Sequence, residues 1–132
     1  MGKVYYTLEE ARAALPRVKP VLKQLIELHL KLTVQEHIDI GFEEPFEQYL
    51  QSLRQATHWH QTQVKLLQLL GKLAQIGVYV KSPERGLIDF YAMHEGREIF
   101  LCYQYPEESI THWHELESGF AGRQSVEMLE RA

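Results

Sequence analysis

Two His-Trp-His triplets, an aspartate inside an apolar run and an arginine after a glycine-containing turn are the places where this sequence can do chemistry. The triplets span residues 58–60 and 112–114. On a helix, residues two apart point in nearly opposite directions, so His58 and His60 are poorly placed to share a ligand. In an extended segment they share a face, so His112 and His114 can act together. A divalent metal needs further ligands and no third is evident beside them. No metal site is therefore assigned, and His112 and His114 are only its weak candidates. Asp89 lies between Ile88 and Phe90, in a run that otherwise favours burial. It is either the wet-face residue of an alternating strand or a carboxylate held against the C-terminal aromatics. Glu107, Trp113, His114 and Arg123 are the other conspicuous polar or amphipathic residues there. Arg123 can pair with Asp89 or with Glu107. A structural ion pair accounts for such a set as well as a ligand site does. Asp89, Glu107, Trp113, His114 and Arg123 together are the candidate ligand-binding residues.

Several common chemistries lack their motifs. Gly119-Phe120-Ala121-Gly122 is too short for a phosphate-binding loop and follows no predicted strand. There is no His-Glu-x-x-His helix and no paired-cysteine site. The one cysteine, Cys102, lies in an apolar run. A nucleophilic cysteine needs an exposed thiolate beside a base, so Cys102 reads as a small core residue.

The elements that must position these residues fall into two halves of one domain, residues 1–77 and 78–132. Thr7 and Glu10 form a Thr-x-x-Glu capping box that starts a helix. Leu8, Ala11, Leu15, Val18, Leu22, Leu25, His29 and Leu32 follow a three-four spacing on one face. Pro16 and Pro20 predict a break or kink, because each removes a backbone donor and crowds the preceding turn. A turn is expected near Gly41. Pro45 then opens a second helix with the stripe Phe46, Tyr49, Leu53, Ala56, His60, Leu67, Leu70 and Ala74, stopped by Gly77. His29 and His60 occupy stripe positions and read as structural. Beyond Gly77, Val78–Lys81, Leu87–Met93 and Glu98–Gln104 read as short strands, the last two joined as a hairpin through His94–Arg97. The tail mixes polar and aromatic residues and ends in a short helix. The predicted fold is α+β: a long antiparallel helical hairpin packed on a small antiparallel sheet of about three strands, with a polar and aromatic C-terminal segment.

Bulk properties narrow the function classes. The chain has 132 residues, 45% hydrophobic and 24% charged, which fits a packed globular domain. Its net charge of −4 and the scatter of its Lys and Arg argue against nucleic acid. No run reaches the roughly 20 apolar residues of a membrane helix. A single cysteine and no apolar leader point to the cytoplasm.

Tyr6-Thr7-Leu8-Glu9-Glu10-Ala11 followed by Leu15-Pro16 resembles the opening of the bacterial family known as domain of unknown function 2203. The second half resembles it more closely. The matching residues there are Gly86-Leu87-Ile88-Asp89-Phe90, Gly96-Arg97, Leu101-Cys102, Glu107, Ile110, Trp113-His114-Glu115 and Gly119–Arg123. This chain departs from the family pattern at Tyr103, where Trp is usual, at Ser82, where Asp is usual, and at Pro106, where Gly is usual. The resemblance brings no assigned activity. It implies that Asp89, Glu107, Trp113, His114 and Arg123 fall in the family's most distinctive segment.

The expected function is a non-catalytic protein-interaction or small-ligand-binding module, homodimeric through the hairpin because helices so long present more apolar surface than a small sheet covers. The alternative is a hydrolase-type enzyme using His114 with Asp89 or Glu107 as acid and base, with or without a metal. The sequence names no cofactor.

Overall fold

The computed structural model describes residues 3–35 and 45–130. The turn expected near Gly41 lies outside them. Helix α1 spans Leu8–Gln35 and helix α2 spans Pro45–Ile76. At 32 residues, α2 is about 48 Å long. Among the described residues no helix is long and apolar enough to cross a membrane. The Thr7–Glu10 capping box is made in both directions, each backbone N–H meeting the other residue's side-chain oxygen at 3.1 Å. From that start, Ala11, Leu15, Val18, Leu22 and Leu25 are buried along one face, as their spacing predicts.

One expectation about the helices is corrected. α1 is one continuous helix with Pro16 and Pro20 inside it, not two pieces. The prolines lie four apart on the exposed side. The carbonyls that lose their donors, those of Arg12 and Pro16, therefore face outward, where solvent can satisfy them. In α2 the stripe beginning at Phe46 is covered only near its end, where Leu70 packs against the core. The buried residues of the helix are Thr62, Leu69 and Leu73, while Phe46, Tyr49, Leu53 and Leu67 are exposed. At about 100° per residue the two sets point to nearly opposite sides of the helix. α2 is thus apolar on two faces and is covered only in its C-terminal half.

Gly77 ends α2 at φ 97°, donating to the carbonyls of Leu73 and Ala74. A Cβ there would meet Val4 at 2.9 Å. Among the described residues five antiparallel strands follow in sequential order: β1 Val78–Ser82, β2 Leu87–His94, β3 Arg97–Gln104, β4 His112–Glu115 and β5 Gln124–Ser125. The sheet has two strands more than expected, both from the polar and aromatic tail. Glu95 and Gly96, both at positive φ, make the tight β2–β3 turn. Alternation then gives the sheet two faces. Ile88 and Phe90 on β2, Leu101 and Tyr103 on β3 and Trp113 on β4 join the helices' apolar cluster. A short helix, α3, Glu127–Glu130, follows β5.

Candidate functional site

The opposite face of the sheet carries the polar residues. In the β2–β3 register Asp89 lies across from Cys102, and in the β3–β4 register Phe100 lies across from His114. Residues 89, 102 and 114 therefore project from three neighbouring strands onto one patch. All three are buried: Asp89 and His114 are fully covered and Cys102 is 2% exposed. One donor atom from each lies within 4.8 Å of the others.

The imidazole of His114 is fixed at both nitrogens. Nδ1 lies 2.7 Å from the carbonyl oxygen of Glu115. A carbonyl can only accept, so Nδ1 carries a proton. Nε2 lies 3.0 Å from Asp89 Oδ1, and one proton sits between them. The second carboxylate oxygen, Oδ2, is buried with no hydrogen-bond partner among the described residues. Burial raises the Asp89 carboxyl above its ordinary range, opposed by His114, Lys81 and the Cys102 thiol. Burial, reinforced by Asp89, pushes the Cys102 thiol up to about 11 despite the pull of the Arg123 guanidinium.

Among the described residues no α-helix packs on this patch; the chain beside it includes the 3-10 turn Phe120–Gly122. The segment from Leu116 to Arg123 lies against it. Gly119, at φ 63°, brings the chain so close to Lys81 that a Cβ would stand 3.2 Å from its Nζ. Two cations lie over the ring of Phe120, Arg123 at 4.1 Å and Arg85 at 5.0 Å from its centre. Ser118 returns to the Glu115 carbonyl with both N–H and hydroxyl, so the acceptor that fixes His114 also ties down the covering segment. On the same face, Tyr79, Tyr91 and Phe100 make an aromatic group that reaches His114 at 5.4 Å.

Of the five candidate ligand-binding residues, the structure joins Asp89 directly to His114 and sets Arg123 at their edge. Arg123 Nη1 stands 3.9 Å from Glu107 Oε1. The Glu107 carboxylate accepts the Gln104 backbone N–H at 2.7 Å, and its carbonyl accepts the Tyr103 hydroxyl. Glu107 thus anchors the turn after β3 rather than touching His114. Trp113 points the other way, into the helix-facing core, with its Nε1 buried and without a hydrogen-bond partner among the described residues. His112 shares the face of His114, but its Nδ1 engages the Thr111 hydroxyl at 2.8 Å. The sequence reading missed Cys102, which completes the patch. The signal was present. Paired residues of a hairpin are equidistant from its turn, and a turn centred on Glu95-Gly96 makes Cys102 the partner of Asp89. A cleft of about 610 Å³ lies elsewhere, lined by Tyr6, Arg12, Met93 and His94 among others, and includes none of the three buried polar residues.

The fold and the patch define a class: an α+β domain with a helical hairpin on one face of an antiparallel meander and a closed Asp-Cys-His cluster on the other. The chain belongs to the family of uncharacterized conserved proteins called DUF2203, whose model matches residues 4–126. No curated protein and no solved structure shows a significant match to it.

Proposed function

We propose that this chain is a non-catalytic binding module that acts in the cytoplasm as a homodimer, with its ligand-binding patch at Asp89, Cys102 and His114 and with Arg123 and Glu107 at the rim. One observation carries the reading against catalysis. A Cys-His-Asp nucleophile system needs one ring nitrogen for the carboxylate and the other for the thiol. Here Asp89 holds one nitrogen of His114 and the Glu115 carbonyl holds the other, so neither can take a proton from Cys102. An acid–base pair of His114 with Glu107 lacks contact as well, since Glu107 is engaged at the turn after β3. Alkylation of Cys102 by iodoacetamide tests this. The rate in the native chain should be slow and should rise with urea in step with unfolding. Rapid labelling under native conditions would remove the reading.

The partner is a second copy of the chain, seated on the outward face of α2. Phe46, Tyr49, Leu53, Ala56 and His60 repeat at three and four residues, the spacing of a helix-pairing seam, and all five are exposed. The charged residues of this stretch, Glu47, Arg54 and Lys65, cluster on a different side of the helix at about 100° per residue. A seam without Lys, Arg, Asp or Glu meets a copy of itself with little like-charge repulsion, as a two-fold interface requires. Light scattering should report a dimer, and Leu53→Glu a monomer with unchanged circular dichroism. A wild-type chain that is monomeric at high micromolar concentration would contradict the dimer. The net charge of −4 counts against nucleic acid as the partner.

A further inference from the structure

We infer that Asp89, Cys102 and His114 bind a divalent transition metal ion of the zinc class; this rests on the reading of the patch as a binding site and names its ligand. Three observations carry it. The donor atoms, one oxygen, one sulfur and one nitrogen, come from three adjacent strands and lie within 4.8 Å of one another. Asp89 Oδ2 is a fully buried carboxylate oxygen without a hydrogen-bond partner among the described residues, and such an atom is costly to keep unless something binds it. His114 gives its Nδ1–H to the Glu115 carbonyl, which fixes the tautomer and turns Nε2 toward the patch. Metal-ligating histidines are oriented in this way by a carbonyl or carboxylate behind them.

The donor set selects the ion. Calcium and magnesium prefer all-oxygen sites, whereas thiolate and imidazole favour zinc and its neighbours in the first transition row. Three protein ligands leave a fourth tetrahedral position for water or a small anion. The charge balance closes. Before binding, Asp89 and His114 share one proton and Cys102 holds another. A divalent ion that binds the carboxylate, the imidazole nitrogen and the thiolate releases both protons to solvent. Two positive charges leave and two arrive, so the net charge of the closed patch is unchanged. Lys81 and Arg123 stand beside it, with Glu107 next to Arg123. Taking up the ion requires the Nε2–Oδ1 hydrogen bond to open and the three donors to draw together around it.

Cobalt is the probe, because a tetrahedral thiolate site gives it an intense near-ultraviolet charge-transfer band and strong visible bands. Titration of the chelator-treated full chain with Co²⁺ should give one ion per chain with these bands, and Zn²⁺ should displace it. The charge-transfer band should vanish in Cys102→Ser, a near-isosteric change, and the affinity should fall at least tenfold in Asp89→Asn. Circular dichroism of both variants establishes that they fold. Failure of the wild-type chain to bind Co²⁺ overturns the metal assignment, as does binding that Cys102→Ser leaves unaltered, which would put the ion at other histidines. If Cys102 is meanwhile protected from alkylation, the non-catalytic reading stands and only the metal falls.

Discussion

On the face of the sheet that meets the helices, Ile88, Phe90, Leu101 and Trp113 are buried by apolar side chains from two long helices. On the other face, Asp89, Cys102 and His114 are as deeply buried beneath a short segment pinned by Arg85, Phe120 and Arg123. The first kind of burial is what folding by the hydrophobic effect produces. The second works against it, because a buried polar cluster costs desolvation that its hydrogen bonds at best offset. The proposal that this face binds a ligand rests on that cost: the cluster is kept buried although apolar residues would stabilise the chain as well or better. The outward stripe of α2 makes the opposite contrast: Phe46, Tyr49 and Leu53 are apolar and exposed where the cluster is polar and closed.

The largest effect that can break the comparison is His114→Ala. It leaves the Asp89 carboxylate buried without its partner, and about 3–5 kcal/mol of stability should be lost in urea unfolding. Replacing both groups by apolar residues of similar shape, as in Asp89→Leu with His114→Phe, should cost far less or even stabilise the chain. A double variant as damaged as the single one would mean that the cluster is needed for the fold itself.

A pH effect of intermediate size follows from Cys102. Its thiol is raised from 9.0 to about 11 in the folded chain. Between those values the folded chain holds a proton that the unfolded chain has lost. The stabilising contribution is therefore complete below about pH 9 and declines as pH rises toward 11. Two pKa steps correspond to roughly 2–3 kcal/mol. Urea midpoints of the metal-free chain across this range should fall, and Cys102→Ala should flatten the slope.

The smallest effect belongs to the rim. The Arg123–Glu107 contact is long and partly exposed, so Arg123→Ala should cost only about 1 kcal/mol, most of it from the lost packing over Phe120. Arg123→Met keeps the packing and should cost less. A strong drop in the melting temperature of Arg123→Ala would make Arg123 part of the scaffold and remove it from the candidate site.

The sequence made the local features legible and left the non-local ones open. The Thr7–Glu10 cap, the core stripe of α1 and the β2–β3 hairpin are set within a few residues of themselves. Asp89 stands out because a carboxylate between Ile88 and Phe90 needs a reason wherever it points. That the hairpin leaves apolar surface uncovered was legible from its length; which part of α2 stays open was not, since Phe46, Tyr49 and Leu53 are as periodic as core residues and the end of the sheet decides what is covered. β4 and β5 were hidden because His112–Glu115 and Gln124–Ser125 lack the β-branched character of a strand and are ordered by their neighbours. Trp113 and His114 are adjacent in the chain, yet strand alternation sends one to the apolar core and the other to the polar cluster.

The reading of the patch turns on the proton at His114 Nδ1, which can be observed directly by long-range ¹H–¹⁵N correlation of the metal-free chain. The expected result is an Nδ1 bearing a slowly exchanging proton, held by the Glu115 carbonyl, in wild type and in Cys102→Ser alike. An Nδ1 without a proton, with a resonance that responds to Cys102→Ser, would put the ring in position to serve the thiol and would contradict the binding-module account.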